Sequence, residues 1–543
     1  LGTFPQTWRY PSVIMANWFN RPLKVVKKPH SVFDLSNDYK SSINFGKLIP
    51  TYVEECPPAT KFLNLKSEVF LRFAPLVFPI MHRCRVRTNF FAIPFRLILG
   101  DKGYNDFVNG KKDIVPLYIG CSDDVESNNF INTIFDYLGY DIPDTLTLEY
   151  FCIPNPLAFL SYLYVWRCWY ADEVLDQTYT ALIDKLLEDY RDAFENQAQN
   201  FAFYFTSTSD PEMVILRALP VSYTKDYFTA AQIEPQRGDD VYLMNPLILQ
   251  RIDGGSISTA ATLAINTNGE TYYNEVGGSK ILRTSDTIND FWIKEQIQRF
   301  RNIDNLFGGS DGRTIEWLAG HYGVISSDAR MQLPQYIGGG EQVVQIQEVL
   351  QTSSDTESSP LGAMAGKGVS FGRTHNVEYF CEEHTFVIAL LSVVPDNGYT
   401  SGNPRYFYKK NILDFALPEF NNVGYQSVYK GEVFSQQRKL APGQLPTTDL
   451  EDWAYETRYS EYRQHRSIAT GDFRKDVLLP WHMNRHFSAL PSFNANFIHV
   501  NQEDSARIFN NADTDSQHIY IDVYTVSKVS NIVSYNPVDR HNI

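Results

Sequence analysis

The chain has 543 residues, 43% of them hydrophobic and 20% charged, with a formal net charge of −15 at pH 7. That hydrophobic share supports a large buried core, and the acidity excludes nucleic-acid binding by bulk charge while leaving room for local basic patches. With 36 Phe and 33 Tyr the chain is rich in wide, flat side chains, which suit sheets and broad subunit contacts.

Residues 1–47 read as an irregular arm, interrupted by Pro11, Pro22 and Pro29. Its basic residues Lys24, Lys27 and Lys28 are either a solvated charge run or a weak phosphate footprint. Strand-like runs follow at Leu48–Val53 and Phe62–Phe73, the second alternating through Leu63, Leu65, Val69 and Leu71. Arg85–Leu99, RVRTNFFAIPFRLIL, carries two patterns in succession. Arg85, Arg87 and Asn89 alternate with Val86, Thr88 and Phe90, as in a strand with one wet face. From Phe90 onward both faces are apolar, so Phe90 and Phe91 should both be buried between layers, and Pro94 marks a strand end, bulge or edge.

Residues 156–197 read as a helical insertion. Leu157, Leu160, Tyr164, Trp166 and Tyr170 make the first helix apolar nearly all round, although Arg167 and its short length bar it from crossing a bilayer. Tyr179, Leu182, Ile183, Leu186, Tyr190 and Phe194 then recur at spacings of three and four opposite an acidic row. Residues 238–290 are dense in Gly, Ser, Thr and Asn and suggest an external excursion of short strands and turns. Helical signals return at 291–300 and 314–322, and Gln351–Gly372 reads as a flexible loop. Strong strands close the pattern at Thr385–Val394 and His518–Val529. Strands at both ends with helices and loops between them describe a mainly β fold, one domain over 48–543 with large insertions.

Little in the sequence points to catalysis. The six cysteines show no CxxC spacing, so neither zinc nor a disulfide framework is indicated. Gly308–Gly312 matches GxSxG, but a polar helical stretch precedes it where a nucleophile elbow needs a strand. His482 and His486 lie four apart without the HExxH arrangement, and Pro480 suggests a boundary between them and any helix. Glu54–Glu55 and Glu382–Glu383 would point to opposite faces of a strand. No catalytic, cofactor-binding or metal-binding residue is assigned.

Several ordered segments carry a resemblance: SVFDLS at 31–36, LIPTYVEECPPATKF at 48–62, RFAPLVFPIMHRCRVRTNFFAIPFRLI at 72–98 and DYFT at 226–229. SSDARMQLPQYIGGG at 326–340, PLGAMAG at 360–366, GYQSVYKGEV at 424–433, YSEYR at 459–463 and WHMNRHFSALPSFNANFI at 481–498 continue it. Together they resemble the major capsid protein of the Microviridae, in its gokushovirus-like branch. The resemblance implies an eight-stranded viral jelly roll with large, partly helical loop insertions. It also implies sixty copies in a T=1 icosahedral shell around a circular single-stranded DNA genome. Implied partners are an internal scaffolding protein, a small basic DNA-packaging protein, a DNA pilot protein, the genome and a bacterial surface receptor, without membrane insertion. The implied location is the virion capsid, assembled in the host bacterial cytoplasm. Residues 238–290 would be the surface protrusion of that branch. Lys24, Lys27, Lys28, Arg85 and Arg87 are the candidate nucleic-acid contacts. Two other readings stand beside the shell subunit: a receptor-binding module within it, and a jelly-roll hydrolase, for which no carboxylate pair is available.

Overall fold

The computed structural model describes residues 29–121, 132–141, 150–205, 215–234, 333–350, 364–421, 424–435, 448–511 and 516–535, with short pieces within 262–281 and at 299 and 322–323. Two antiparallel sheets dominate. Their strands are β1 (Ser31–Asp34), β2 (Asn37–Ile43), β3 (Leu48–Cys56), β4 (Lys61–Phe73), β5 (Cys84–Pro94), β6 (Gln335–Val343), β7 (Gln345–Leu350), β8 (Met364–Arg373), β9 (Val377–Phe380), β10 (Thr385–Pro395) and β11 (Ile519–Asn531). The first sheet runs β1–β11–β4–β8–β7, with β2 extending the line of β1 along β11 and β9 that of β8 along β4. The second runs β6–β5–β10–β3. The chain passes from the second sheet to the first at Val344, whose N–H donates to the Cys84 carbonyl at 2.9 Å.

The sheets face each other across a core that includes Tyr52, Phe62, Leu65, Phe90, Val387 and Val529. A hydroxyl bridge crosses it, from Tyr52 Oη on β3 to Ser527 Oγ on β11 at 2.9 Å. Burial alternates strictly along β11, with Ile519, Ile521, Val523, Thr525, Ser527 and Val529 inward. On β4 the alternation slips. Lys528 pairs with Asn64 and Val529 with Phe62, which leaves Leu63 unpaired in a bulge. The extra residue shifts the phase by one. Phe62 is therefore buried, and Leu63, which the sequence pattern placed inward, is 36% exposed.

The second sheet is covered on both faces. Every residue of β10 is buried, as a strand between two layers requires. Phe90 and Phe91 on β5 are 0% and 2% exposed, as expected of both. Phe90 packs between the sheets. Phe91 points away from them, its ring 5.7 Å from that of Trp169 and 5.6 Å from that of Tyr336.

The outer layer is helical: α1 (Phe95–Val108), α2 (Ile134–Tyr137), α3 (Leu157–Trp169) and α4 (Gln177–Glu195). Helix α3 is buried on almost every side, and Tyr162 Oη donates to the Leu48 carbonyl at 2.8 Å. Helix α4 buries Ile183, Leu186, Leu187, Tyr190 and Phe194. Helix α1 breaks at Gly100, where φ is +76°, and Arg191 of α4 donates to the Ile98 and Leu97 carbonyls at 2.8 and 2.7 Å. A break of this kind orphans carbonyls, and a neighbouring guanidinium supplies the missing donors.

Three expectations need correction. The stretch Arg85–Leu99 is not strand throughout: β5 ends at Pro94, one of the alternatives that residue allowed, and Phe95–Leu99 begin α1. Pro94 has no N–H for the ladder, while its φ of −61° suits the residue before a helix. The arm expected over 1–47 is strand at 31–34 and 37–43, because both segments find their partner far away in β11. The loop expected over 351–372 is strand β8 from Met364 onward. Its glycines allow close approach: a Cβ at Gly366 would meet the Phe78 carbonyl and one at Gly368 the Phe73 ring. Residues 1–28 and 351–363, the Gly308–Gly312 turn and most of the stretches 291–300 and 314–322 lie outside the described residues. Within 238–290, three short strands, Thr262–Ile265, Thr271–Glu275 and Gly278–Ile281, pair antiparallel.

The segment leading into β5 is pinned from the far side of the chain. Val77 N–H donates to Ile508 O at 3.0 Å, Met81 N–H to Trp481 O at 2.8 Å, and His82 Nε2 lies 2.8 Å from Asp396 O. Burial outweighs that last bond and pushes His82 down to about 4 from an ordinary 6.5. Burial also lowers His482.

Two predictions follow from this architecture. Phe62→Ala should cost about 3–5 kcal/mol of stability and Leu63→Ala below about 1 kcal/mol, read from denaturant unfolding of the unassembled chain; equal costs would remove the bulge. A histidine depressed in the folded state leaves the unfolded chain to take up the proton first. Stability is therefore intact above pH 6.5 and declines as pH falls from 6.5 toward 4, by at most about 3 kcal/mol for His82. Melting temperatures across that window should fall less steeply in His82→Gln than in the parent.

Candidate assembly and nucleic-acid surfaces

Of the candidate nucleic-acid contacts, Lys24, Lys27 and Lys28 lie outside the described residues. Arg85 and Arg87 sit on the outer face of β5 beyond the reach of the helices, each about 30% exposed. Both are already paired. Arg85 Nε donates to Asp396 Oδ1 at 2.7 Å and Nη1 to Glu341 Oε1 at 3.0 Å, while Arg87 Nε donates to Glu341 Oε2 at 3.0 Å. Burial opposes the Glu341 carboxylate, but hydrogen bonds from Arg87 and Arg85 prevail and hold it below the usual range. The register of β6 on β5 sets this arrangement, since Glu341 stands directly opposite Arg87.

A second lobe, beside the sandwich, gathers several of the motif segments. Its strands Tyr425–Tyr429 and Asp452–Thr457 pair antiparallel, over an apolar core of Tyr227, Phe228, Tyr399, Val428, Val433, Phe497 and Ile498. Asp226 ties the DYFT segment into a turn, accepting from Thr229 N–H at 2.9 Å and Tyr399 Oη at 2.9 Å. Glu432, almost fully buried, accepts from Arg405 Nη1 and Tyr227 Oη, both at 2.9 Å, and from Tyr429 N–H at 3.0 Å. Burial raises its pKa against the opposing pull of Arg405. Lys409 Nζ meets Glu461 Oε1 at 2.7 Å. Arg485 is 3% exposed and lies over four rings, closest to Phe497 at 3.9 Å. A charge so held has its stem and face packed rather than hydrated.

On this framework stands an unusually apolar surface segment, Arg405–Phe420, built from three short 3₁₀ turns. Tyr406, Phe407, Ile412 and Leu413 are 65%, 66%, 70% and 57% exposed. Beneath it a cavity of about 390 Å³ is lined by Phe228, Pro404, Tyr406, Phe415, Tyr462 and Ile468 among others. Exposed rings and aliphatic side chains grouped in one segment are a feature of interaction surfaces.

The polar clusters are structural. His482 donates from Nε2 to Phe473 O at 2.9 Å and accepts at Nδ1 from Asn484 N–H at 3.1 Å, which occupies both nitrogens. His486 Nδ1 lies 2.9 Å from Thr400 Oγ1, and residues 476–481 form a 3₁₀ turn that ends before His482. Ser222, His499 and Asp176 line up as a serine nucleophile would require. The Ser222 Oγ to Nδ1 separation is nevertheless 3.4 Å, against 2.7 Å from Nε2 to Asp176 Oδ1. Asp176 also accepts from Asp172 N–H at 2.8 Å, so the set anchors the start of α4. Sequence reasoning had no means to find it, because its members are scattered over more than 300 residues.

Comparison with known proteins agrees with the motifs. The model of the family described as capsid protein (F protein) matches residues 23–537. Capsid protein VP1 of Bdellovibrio phage phiMH2K is 26% identical, over 88% of this chain and 89% of its own length. The VP1 proteins of Chlamydia phage 1 and Spiroplasma virus 4 are 24% and 23% identical, over 91% and 87% of this chain and 92% and 87% of theirs. A family match over nearly the whole chain, with gokushovirus relatives at almost full coverage, leaves one assignment: the chain belongs to the F-protein family of phage capsid proteins, and its place is in the virion capsid.

Proposed function

We propose that this capsid protein is a jelly-roll subunit, sixty copies of which close a T=1 icosahedral shell around a circular single-stranded DNA genome. Strand order supports the jelly roll: β2, β11, β4 and β8 neighbour one another in one sheet and β3, β10, β5 and β6 in the other, so along these eight strands the chain crosses between the facing sheets at every step except β5 to β6. The observation that carries assembly is the Arg405–Phe420 segment, whose rings and aliphatic side chains a lone chain leaves in water. Repeated contacts of moderate strength close a shell by symmetry and multivalency.

Residues 31–43 join 48–543 in one β unit in this reading, with the helices at 156–197 inserted into it and 238–290 as a surface protrusion that meets a bacterial receptor. An acidic subunit cannot neutralise the genome alone. A small basic DNA-packaging protein, an internal scaffolding protein and a DNA pilot protein complete the assembly in the host cytoplasm. Lys24, Lys27, Lys28, Arg85 and Arg87 are proposed genome contacts, and at Arg85 and Arg87 a phosphate would compete with Glu341 and Asp396. No helix among the described residues is long and apolar enough to cross a membrane.

Charging the apolar segment tests assembly directly. Phe407→Asp with Ile412→Asp should leave circular dichroism and melting unchanged, because both side chains are exposed, yet reduce shell formation at least tenfold by sedimentation and electron microscopy. Normal shells from the double variant would place the subunit contacts elsewhere. Deleting 238–290 should leave shells intact and abolish adsorption to host cells; loss of shells instead would make the excursion structural.

A further inference from the structure

The two sheets differ in what covers them. Helices close the outer face of the second sheet, whereas the outer face of the first stays open, with Phe371, Tyr520 and Tyr524 exposed by 69%, 52% and 46%. These positions are fixed by register. In one row Tyr520 stands opposite Arg72, and Arg72 opposite Val369; in the next Asp522 stands opposite Phe70, and Phe70 opposite Phe371. One step further Tyr524 pairs with Glu68 and Glu68 with Arg373. The face therefore carries rings on three adjacent strands, interleaved with cations.

The charges are not all spent. Arg373 and Lys66 both reach Glu68, and Lys40 reaches Asp522. Arg72 and Lys367 form no ion pair with any described residue. Arg72 lies over the Phe70 ring, 5.2 Å from its centroid, and Lys367 is two residues from Val369, the partner of Arg72, which puts it in the neighbouring row. Gln345 and Gln347 on β7 add exposed amides opposite Val369 and Lys367. Two free cations beside open rings are out of character for a chain of net charge −15.

We propose that the outer face of the first sheet binds single-stranded nucleic acid, with Tyr520, Phe371 and Tyr524 stacking on bases and Arg72 and Lys367 contacting phosphates. A flat sheet with rings on neighbouring strands is a stacking platform, and every base offers a π-face, so such binding tolerates any sequence. A duplex hides its base faces and cannot use the rings. The proposal rests on the reading that the shell encloses single-stranded DNA, and it assigns that contact to a face that neither Arg85 nor Arg87 occupies.

The test uses the full-length unassembled protein, a fluorescein-labelled oligo(dT) of about 20 nucleotides and anisotropy across a salt series, with shell formation followed separately by sedimentation. Tyr520→Ala with Phe371→Ala should weaken oligo(dT) binding at least tenfold, and Tyr520→Phe should retain it. Arg72→Gln should flatten the salt dependence by about 0.7 in log–log slope. Unchanged affinity in the ring-deleted variant overturns the proposal. Unchanged affinity with lost shells also overturns it and makes the face a contact between copies. Shell formation by the parent protein tests the underlying capsid reading independently of either result.

Discussion

The constraint on which the rest depends is that β10 and the second half of β5, Phe90–Ile93, are apolar on both faces. A strand so composed must have a layer above and a layer below, or it exposes rows of Phe, Ile and Leu to water. The first sheet supplies one layer and the helices supply the other. Phe90 belongs to the first contact and Phe91 to the second. The helices inserted after β5 are therefore the second half of the core, and α3 is buried on nearly all sides because it lies between the sheet and α4.

Three layers in this order leave an asymmetric molecule. One sheet ends under helices and the other ends in water, carrying exposed aromatic rings and two cations without a carboxylate partner among the described residues. The second lobe shows the same division on a smaller scale. Its interior holds buried charges in pairs, Arg405 with Glu432 and Lys409 with Glu461, while its surface turns present Tyr406, Phe407, Ile412 and Leu413 outward. Buried ion pairs contribute little net stability, but they fix geometry because breaking one strands a charge. In the proposed shell these pairs would give the apolar segment a rigid mount.

The sequence was legible where local pattern and environment agreed. The double-faced run at Phe90–Ile93, the amphipathic spacing of α4 and the all-apolar α3 each describe their own surroundings. It misled where a partner distant in sequence decided the outcome. Leu63 continues the alternation of β4, yet a bulge against Val529 turns it outward. Gly366, Gly368 and Gly372 look like loop residues, yet they are strand residues pressed against Phe78, Phe73 and Gln342. Asn37–Ile43 has little apolar pattern and becomes strand only because the edge of β11 is there to pair with it. Among the candidate surfaces, Arg85 and Arg87 could be picked out as charges, but not as charges already shared with Glu341 and Asp396.

By itself the sequence determined the fold class, the existence of a doubly covered strand and, through its ordered motifs, the family. Those properties reside in composition and short-range periodicity, which a linear reading preserves. Only the tertiary structure decided which faces remain uncovered, which cations lack partners and which glycines carry a strand. Each of these depends on register between segments up to 500 residues apart, as where Ser31 pairs with Asn531. Register is set by the sum of side-chain burial over whole sheets, and no local window of the chain contains that sum.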